Sequence, residues 1–481
     1  MELDQDLASI QEVRDLVRAA KAAQQRLATF SQQEVDGICA AMAKAGYAHA
    51  VELGRQAVDE TGMGRAEDKT LKNQFASATL WDAIKDVPTI GIIAEYPEKG
   101  ITEIGVPMGV IAGVVPSTNP TSTAIFKSII AVKAGNAIVF SPHPGARKCT
   151  LEAIRIVAEA GQAAGLPAGA ISGIENTTMC ATNALMSHPD VALILATGGP
   201  GMVKAAYSSG NPAIGVGPGN GPSFIERTAD IPLAVRRIIA SKTFDNGTIC
   251  ASEQSVVTEN CIRDEVIAEF MRQGGYFLKP DEKDAVGAIL MRANGSMNPA
   301  IVGRTAVRIA QMAGVQVPDN TTVLLGFETE VGDKFPYSRE KLCPVLGFYA
   351  AADWHEACEL SIKILLHEGA GHTMSIHSRD EGVIKEFALK KPVSRLLVNT
   401  SGSLGGVGAT TDLQPSFTLG CGAVGGSSTS DNIGPLNLIN IRRVARGRRE
   451  VSDLRQPESQ SALDTEQLVR LVMARLMGAG I

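Results

Sequence analysis

Short apolar runs alternate with helical periodicity through the middle of the chain. Runs with strand character occupy Gly109 to Val115, Ala137 to Phe140 and Val191 to Ala196. Helical patterns accompany them at Ala146 to Ala164 and Met202 to Ser208. Such alternation is typical of βαβ units, in which a helix connects two parallel strands. The pattern therefore predicts an α/β fold built on a parallel sheet.

The regions on either side extend this prediction. Residues 8 to 90 carry Ala, Leu and Val at helical spacing with few turn signals, which indicates several helices packed around the first domain. A second alternating region covers residues 226 to 420 and predicts another α/β domain. The length of 481 residues is sufficient for two or more domains with one large core.

The C-terminal segment has a different pattern. Residues 447 to 461 are charged and polar and are predicted to form a flexible linker. Residues 462 to 479 predict a short amphipathic helix that Asp464 or Thr465 caps. Its apolar positions at helical spacing are Leu468, Leu471, Val472 and Leu476. A lone helix of this length is marginal in water, so a partner groove is expected for it.

Composition and charge exclude several classes of protein. The chain is 44% hydrophobic and 20% charged with a net charge of −6, so a nucleic-acid-binding surface is not expected. Its apolar stretches are interrupted by Pro, Lys or Gly and fall short of a membrane span, and the acidic N-terminus is not a secretory signal. The eight cysteines show no paired spacing, which favours a reduced, cytoplasmic setting and gives no indication of zinc.

One of those cysteines, Cys250, lies in a polar segment that contains a glycine, FDNGTICASEQ from Phe244 to Gln254. A thiolate attacks carbonyl carbon well, and a turn that leads into a helix would expose the thiol and lower its pKa through backbone N–H groups. Cys250 is therefore a candidate nucleophile. The alternative is a small buried hydrophobic residue, which is the usual role of an isolated cysteine.

Asn119 lies in a second such segment, VVPSTNPT from Val114 to Thr121, on a turn bounded by prolines. A carbonyl under thiolate attack becomes an oxyanion, and the Asn119 amide together with the Cys250 N–H would form a donor pair for it. An Asx-type turn bond that holds the loop is the alternative role, and both roles are compatible.

The motifs together resemble the aldehyde dehydrogenase superfamily, and within it the CoA-acylating branch. The resemblance runs from the N-terminal helical region to about Pro435. It is carried by PSTNP (Pro116 to Pro120), FSPHP (Phe140 to Pro144), TGG (Thr197 to Gly199), GVGPGN (Gly215 to Asn220), the Cys250 segment, EKL (Glu340 to Leu342) and TLGCGA (Thr418 to Ala423).

This resemblance implies a specific α/β architecture. A variant Rossmann NAD-binding domain would cover residues 1 to 225, with strands of a small β oligomerisation arm around residues 92 to 106. An α/β catalytic domain would cover residues 226 to 420, and residues 421 to 446 would return to the arm. The chain has no G-x-G-x-x-G fingerprint, and the family's variant of the fold lacks it as well.

The resemblance also implies a coenzyme site. Thr197, Gly198 and Gly199 follow an apolar strand and precede a helix, where backbone N–H groups can face the NAD phosphates. Ser141 and His143 would lie near the adenosine ribose, although a surface-loop histidine without a role is the alternative for His143. Hydrolytic relatives commonly have a lysine at this loop, so the preference for NAD over NADP stays open.

Two further residues receive roles from the resemblance. Glu340 would accept hydrogen bonds from the nicotinamide ribose hydroxyls, against the alternative of an exposed glutamate in a charged loop. His372, in a Gly-His-Thr segment, would contact substrate or CoA, against the alternative of a loop-stabilising histidine. His367 and His372 lack the H-E-x-x-H spacing, so no metal site is predicted.

Val216 is the main departure from the hydrolytic branch. Hydrolytic aldehyde dehydrogenases carry a glutamate at the aligned position, where it activates water against the thioester. Without that base, the thiol of CoA, with a reference pKa of about 8.5, is the better nucleophile. The resemblance therefore implies oxidation of an aldehyde by NAD to a Cys250 thioester, followed by thiolysis with CoA.

The resemblance to enzymes of diol-degrading microcompartments favours propionaldehyde over acetaldehyde as the expected substrate. A hydrolytic or semialdehyde dehydrogenase and an inactive scaffold are the other hypotheses, disfavoured by Val216 and by the joint presence of Cys250, Asn119 and Glu340 respectively. A homodimer or homotetramer is expected. The C-terminal helix is similar to the encapsulation peptides that dock enzymes to shell proteins inside bacterial microcompartments, and a helix packed on its own protein or on a neighbouring subunit is the alternative.

Overall fold

The computed structural model of the chain describes residues 4 to 454 and 465 to 478. Contacts divide the chain into two compact units, the first formed by residues 1–91 and 106–440 and the second by residues 92–105 and 441–481. Each unit is described in turn below.

The first unit begins with helices, as the periodicity of residues 8 to 90 predicts. They are α1 (Gln5–Leu27), α2 (Gln32–Ala48), α3 (Ala50–Thr61), α4 (Ala66–Gln74) and α5 (Leu80–Ile84), with a π-helical turn over Phe75–Thr79 between the last two. Ser31 begins α2 with a capping box, in which its hydroxyl and the Glu34 carboxylate satisfy each other's backbone N–H groups. α3 ends at Gly62, which adopts the left-handed conformation that favours glycine there.

The second unit contains a three-stranded sheet in the order β1–β2–β15, where β1 is Gly91–Tyr96, β2 is Ile101–Pro107 and β15 is Ile439–Ala445. Arg443 Nε and Glu103 Oε1 form an ion pair of 2.8 Å across two of these strands. These are the segments that the resemblance assigns to an oligomerisation arm.

The first large sheet of the first unit has five parallel strands in the order β5–β4–β3–β6–β7. Its strands are β3 (Val110–Val115), β4 (Ala137–Pro142), β5 (Ile171–Gly173), β6 (Val191–Thr197) and β7 (Ala213–Val216). Its helices are α6 (Pro120–Lys133), α7 (Arg147–Ala163), α8 (Met179–Met186) and α9 (Pro200–Tyr207). Every residue of β3 and β4 is buried, as expected for a parallel sheet covered on both faces.

The second large sheet has seven parallel strands in the order β10–β11–β12–β9–β8–β13–β14. They are β8 (Pro222–Ile225), β9 (Ser255–Glu259), β10 (Gly275–Phe277), β11 (Val323–Phe327), β12 (Val345–Ala351), β13 (Gly371–His377) and β14 (Val393–Val398). Its helices are α10 (Ile231–Thr243), α11 (Arg263–Arg272), α12 (Pro280–Leu290), α13 (Ala306–Met312), α14 (Trp354–His367), α15 (Glu381–Lys390) and α16 (Gly402–Gly406).

The predicted α/β class is confirmed in both large sheets. The first sheet ends with Val216 and the second begins with Pro222, while the predicted domain boundaries themselves stay predictions. The order of the first sheet corresponds to the first five strands of a Rossmann sheet, 3-2-1-4-5, in which the connections from β3 and from β6 lead toward opposite edges. None of the helices in the described residues combines the length and apolar character that crossing a lipid bilayer requires.

The segment after β15 is partly described. Residues 451–454 of the predicted linker form one helical turn, α17 (Val451–Leu454), and α18 (Thr465–Met477) corresponds to the predicted amphipathic helix. All its described side chains are exposed, including Leu468, Leu471 and Leu476. The Asp464 position and residues 455–461 of the predicted linker lie outside the described residues.

Candidate active site

A cavity of about 850 Å³ lies at the carboxyl edge of the first large sheet and the amino edge of the second. Its walls include the segments that follow β3, β4 and β6 and those that precede β9 and β12. β3 and β6 are neighbours whose connections lead in opposite directions, and a crevice at such a switch point is where open α/β sheets bind ligands.

The cavity brings together most of the residues singled out from the sequence. Its lining includes Cys250, Asn119, Ser141, His143, Thr197, Gly198, Gly199, Glu340 and Val216. His372 is not part of the lining. It lies inside β13, where the Gly-His-Thr segment was expected to form a loop.

Cys250 follows a tight left-handed turn. Asp245 and Asn246 have φ values of 50° and 51°, and Gly247 follows with a φ of 80°. Asp245 is fully buried, and its carboxylate accepts hydrogen bonds from the Arg65 N–H at 2.8 Å and from the Thr248 hydroxyl at 2.6 Å. These contacts hold the turn in a conformation that L-residues rarely adopt.

The expectation that this turn lowers the thiol pKa is wrong for the ligand-free protein. No helix follows Cys250, because the chain turns directly into β9. Cys250 is half-buried, and desolvation of its thiol by the surrounding residues, reinforced by the charge of Glu340, raises the pKa of the thiol to about 12. The thiol is therefore protonated at neutral pH until ligands change its surroundings.

The Cys250 N–H is available to a substrate oxygen, because it donates to no other residue in the part of the chain that the structure describes. The Asn119 amide lies beside this segment. Its Nδ2 donates to the Thr248 carbonyl oxygen at 3.0 Å and, over 3.3 Å, to the Thr118 hydroxyl. The side chain makes no capping bond to α6, so the Asx-turn alternative is wrong.

Lys72 is the neighbour of Asn119 that sequence reasoning missed. Its Nζ donates to Asn119 Oδ1 at 2.6 Å and to Asp245 Oδ2 at 2.5 Å. Lys69 also donates to Asp245 Oδ2, at 2.9 Å, and to the Thr118 carbonyl oxygen. Burial lowers the pKa of Lys72 to about 8, while the Asp245 charge opposes the shift, so its ammonium form persists at neutral pH.

The segment after β6 offers a place for a phosphate. Gly199 precedes the first residue of α9, and a Cβ built there meets no atom within 4 Å. The helix N-terminus directs backbone N–H groups and the positive end of its dipole toward this open space. The residues thus fit a dinucleotide phosphate.

The two residues expected near the adenosine ribose, Ser141 and His143, differ in burial and in hydrogen bonding. Ser141 is buried at the end of β4, and its hydroxyl shares a hydrogen bond of 2.8 Å with Thr182. His143 is exposed, and its Nδ1 accepts the Gly145 N–H at 3.0 Å. His143 therefore shapes the turn after β4 in addition to lining the cavity.

Glu340 is not the exposed glutamate of the alternative interpretation, since only 9% of its surface is accessible. Its Oε1 accepts the Gly219 N–H at 2.9 Å, and its own N–H donates to Glu368 Oε2 at 2.9 Å. Burial, followed by the Glu368 charge, raises the pKa of Glu340 to about 8. A carboxylate in this position gains from any hydroxyl donors that a ligand supplies.

His372 lies behind the catalytic segment. A Cβ built on Gly219 would lie 1.9 Å from the Cys250 carbonyl oxygen and 3.2 Å from His372 Nδ1, so the three residues are in close contact. His372 Nδ1 pairs with the Thr373 hydroxyl at 2.9 Å, while its Nε2 is buried without a partner. Burial, followed by the Arg395 charge, lowers the pKa of His372 to about 3, so the ring is neutral.

A second cavity of about 290 Å³ adjoins the first. The two share the side chains of Ile249, Val407 and Phe417. The smaller one is mainly apolar, and its other lining residues are Leu71, Lys72, Gln74, Phe75, Thr79, Phe244, Leu404 and Ala409. Its one cationic group, Lys72 Nζ, is already bonded to Asp245 and Asn119.

Comparison with known families agrees with this geometry. The model of the aldehyde dehydrogenase family matches residues 4–294. The chain belongs to the aldehyde dehydrogenase family. The predicted α/β fold and the resemblance to the aldehyde dehydrogenase superfamily are thereby confirmed.

Curated relatives include aldehyde dehydrogenases of two lengths. The bifunctional aldehyde-alcohol dehydrogenase AdhE of Escherichia coli (strain K12) is 47% identical over 445 residues, which cover 92% of this chain and 50% of AdhE. The chain thus spans about half the length of the aldehyde–alcohol dehydrogenases it matches. The succinate-semialdehyde dehydrogenase (acetylating) of Clostridium kluyveri is 37% identical over 432 residues, which cover 90% of this chain and 95% of the relative.

Solved aldehyde dehydrogenase structures superpose over nearly the whole chain. A probable aldehyde dehydrogenase from Listeria monocytogenes has a TM-score of 0.93 at 60% identity, covering 94% of this chain and 100% of that structure. A propionaldehyde dehydrogenase from the Clostridium phytofermentans fucose utilisation bacterial microcompartment has a TM-score of 0.83 at 29% identity, covering 90% and 97%.

Sequence reasoning missed two features of this aldehyde dehydrogenase site, the left-handed turn before Cys250 and the buried Lys72, and only the first has a signal in the sequence. The Asp-Asn-Gly tripeptide before Cys250 is a signal for left-handed turn residues. Lys72 gives no such signal, because a lysine in the charged helix α4 is ordinarily expected at the surface. Within the described residues, no group of three or more His, Cys, Asp or Glu side chains is placed to hold a metal ion.

Proposed function

We propose that this chain is an NAD-dependent, CoA-acylating aldehyde dehydrogenase. The observation that carries the proposal is the convergence of the Cys250 thiol, its unpaired N–H and the Asn119 amide on one cavity, whose wall includes the apolar side chain of Val216. Relatives named as acetylating enzymes and as the bifunctional aldehyde-alcohol dehydrogenase AdhE support the same activity.

The chain's own residues supply nucleophile and electrostatic stabilisation. The Cys250 thiol loses its proton to solvent, and Sγ bonds to the aldehyde carbon as the carbonyl π bond breaks, which gives a thiohemiacetal whose oxygen carries the negative charge. The Cys250 N–H and Asn119 Nδ2 donate to that oxygen, the latter by exchanging its longer bond to the Thr118 hydroxyl. The thiol pKa of about 12 in the ligand-free protein means that proton loss must accompany ligand binding or attack.

Bound NAD would supply the hydride acceptor for this oxidation, and the acyl group would remain on Cys250 as a thioester. For the coenzyme we propose phosphate contacts at Thr197, Gly198 and Gly199, an adenosine ribose near Ser141 and His143, and a nicotinamide ribose on Glu340. The open space above Gly199 and the buried carboxylate of Glu340 support these assignments.

The acyl-enzyme is released by CoA rather than by water. Val216 ends β7, is 3% exposed and lines the cavity with an apolar side chain. The carboxylates in the lining, Glu340 and Glu368, are bonded to backbone N–H groups. The neutral ring of His372 lies behind Cys250, and its Nε2 has no partner. We propose that this nitrogen accepts a hydrogen bond from the CoA thiol.

The smaller cavity favours a short, uncharged aldehyde. Relatives act on succinate semialdehyde and sulfoacetaldehyde, whose far ends are anionic. An anionic end needs a cation, and Lys72 Nζ is the one cationic group in the lining of that cavity and is already neutralised by Asp245. We propose propionaldehyde as substrate, with acetaldehyde as the second candidate, and the propionaldehyde dehydrogenase structures support the first.

Two assemblies are proposed alongside the activity. The three-stranded sheet exposes Ile92, Tyr96, Ile441 and Val444, a surface that suits pairing with a second copy of the chain in a homo-oligomer. The helix α18 exposes its apolar side chains and would dock to a microcompartment shell protein. The microcompartment source of one solved neighbour supports the second proposal.

The activity is tested by NADH production from propionaldehyde, acetaldehyde and succinate semialdehyde, with and without CoA. We expect sustained NADH and acyl-CoA formation only with CoA, and higher kcat/KM for the two uncharged aldehydes. Sustained turnover to free acid without CoA would support a hydrolytic enzyme instead, and no NADH under any condition would support an inactive scaffold.

A further inference from the structure

Asn119 is held between a cation and a carbonyl group. Lys72 Nζ lies 2.6 Å from Asn119 Oδ1, and Asn119 Nδ2 lies 3.0 Å from the Thr248 carbonyl oxygen. Lys72 is only 3% exposed, so its ammonium group is shielded from bulk water, while the half-buried Asn119 side chain borders the cavity. The amide therefore lies in a polar network that is closed on the protein side.

This arrangement permits only one orientation of the amide. A lysine ammonium group has donors and no acceptor, whereas the amide has an acceptor oxygen and a donor nitrogen. A half-turn of the Asn119 amide would oppose its NH₂ group to Lys72 and its oxygen to the Thr248 carbonyl oxygen. Both contacts would then be repulsive, and the buried Lys72 ammonium group would lose an acceptor that water does not readily replace.

We propose that Lys72 is a positioning residue for the oxyanion: its ammonium group fixes and polarises the Asn119 amide so that Nδ2 donates toward the Cys250 substrate. A cation on the amide oxygen withdraws electron density from the nitrogen and strengthens its N–H donors. The inference rests on the proposed function for the identity of the reacting oxygen.

Asp245 connects the Lys72–Asn119 pair to the turn that precedes Cys250. Its Oδ2 accepts from Lys72 at 2.5 Å, while the same residue supplies the left-handed φ of 50° five residues before Cys250. Lys72 also contacts Thr248 through that residue's hydroxyl at 3.2 Å. The cation that orients the amide is thus anchored to the segment that places the nucleophile.

Lys69 provides a matched control. It is as buried as Lys72, and its Nζ donates to the same Asp245 Oδ2, but its other acceptor is the Thr118 carbonyl oxygen and not the Asn119 amide. Lys69→Met and Lys72→Met therefore remove equivalent cations from Asp245. Only the second removes the bond to Asn119, and it also removes the weaker bonds to the Thr248 hydroxyl and carbonyl oxygens.

The experiment measures the burst of NADH from propionaldehyde and NAD without CoA in five forms of the protein: wild type, Lys72→Met, Lys69→Met, Asn119→Ala and the double variant Lys72→Met/Asn119→Ala. We expect Lys72→Met to lower the burst rate roughly 10- to 100-fold with little change in aldehyde KM, and Lys69→Met to lower it roughly three-fold or less. The double variant should be no slower than Asn119→Ala. Equal losses in the two lysine variants, or an additive loss in the double variant, would overturn the proposal.

A crystal structure of ligand-free Lys72→Met gives a readout that does not depend on activity. We expect the Asn119 amide to leave the Thr248 carbonyl oxygen or to adopt more than one orientation, and an unchanged amide would overturn the proposal. Lys72→Gln, which keeps a polar side chain, replaces Lys72→Met if the apolar variant does not fold. Absence of a burst from the wild type would instead refute the proposed function, and the amide orientation would still decide the role of Lys72.

Discussion

Glu340 Oε1 accepts a hydrogen bond of 2.9 Å from the N–H of Gly219, which ties the carboxylate to the turn after β7. The same glycine is in contact with the Cys250 carbonyl oxygen. Through this one residue, the proposed ribose ligand and the proposed nucleophile are held in a fixed relation. Substitution of Glu340 and substitution of Gly219 therefore test the two contacts separately.

The Glu340 carboxyl group makes stability depend on pH. Its pKa is raised from 4.5 to about 8 in the folded protein, so the folded state holds a proton that the unfolded state has released over that interval. The stability that this protonated group contributes is fully present below pH 4.5 and is lost as pH rises through about 8.

Glu340→Gln should therefore stabilise the ligand-free protein above pH 8 by on the order of 1 to 3 kcal/mol and have little effect below pH 4.5. Thermal unfolding across this pH range checks the result, with the exposed Glu67→Gln as control. A difference in Tm between Glu340→Gln and wild type that does not grow with pH would contradict it. The same variant should bind NAD more weakly, since it loses the anionic acceptor for the ribose hydroxyls.

Gly219→Ala should displace Cys250. A Cβ at this position would lie 1.9 Å from the Cys250 carbonyl oxygen, so the backbone of the catalytic segment has to move. A displacement of about 1 Å at a reacting group costs roughly 100-fold in rate, and we expect a loss of kcat of that order in a folded protein. Gly37→Ala is the control, because a Cβ built on Gly37 meets no atom within 4 Å. Near wild-type kcat in Gly219→Ala would show that the contact between Gly219 and the Cys250 carbonyl oxygen does not position Cys250.

The fold was more predictable than the site. The apolar runs at Gly109 to Val115 and Ala137 to Phe140 became β3 and β4 almost unchanged, because a parallel strand covered on both faces needs a continuous apolar sequence. The chemical state of Cys250 could not be predicted in the same way. Its pKa depends on burial and on Glu340, a residue 90 positions later in the sequence.

The hydrogen-bond partners of Asn119 could not be predicted from the sequence either. Local sequence marks Asn119 as a turn residue, but its partners are Lys72 on α4 and the Thr248 carbonyl oxygen in the catalytic segment. Pairing across such separations is determined by how the helices pack on the sheet, which periodicity does not encode. His372 illustrates the converse error, because a Gly-His-Thr segment that suggests a loop lies in β13.

Alkylation of Cys250 by iodoacetamide should keep accelerating into the alkaline range in the ligand-free enzyme. Burial and the Glu340 charge raise the thiol pKa from 9.0 to about 12, and only the thiolate reacts. Peptide mapping after timed alkylation at increasing pH measures this rate, with the exposed Cys180 and Cys261 in the same samples as accessible reference thiols. A Cys250 rate that levels off near the ordinary value of 9.0 would contradict the burial argument.

Val216→Glu should convert part of the acyl-enzyme to free acid without CoA, because a carboxylate at the end of β7 would face the cavity and activate water. Val216→Gln is the matched control, since it has a similar shape but no base. Both products are quantified by chromatography after incubation with propionaldehyde and NAD. If the folded Glu variant gives an NADH burst but no more acid than the Gln variant, Val216 does not occupy the general-base position.

The thioester on Cys250 is the central claim, and intact-protein mass spectrometry tests it most directly. The enzyme is mixed with propionaldehyde and NAD in the absence of CoA, quenched in acid and digested to locate the adduct, with Cys250→Ala as control. The account predicts one propionyl group per chain on the peptide that contains Cys250, no adduct in Cys250→Ala, and complete discharge to propionyl-CoA when CoA is added before the quench. NADH formation without an adduct on Cys250, or an adduct that CoA does not remove, would contradict the account.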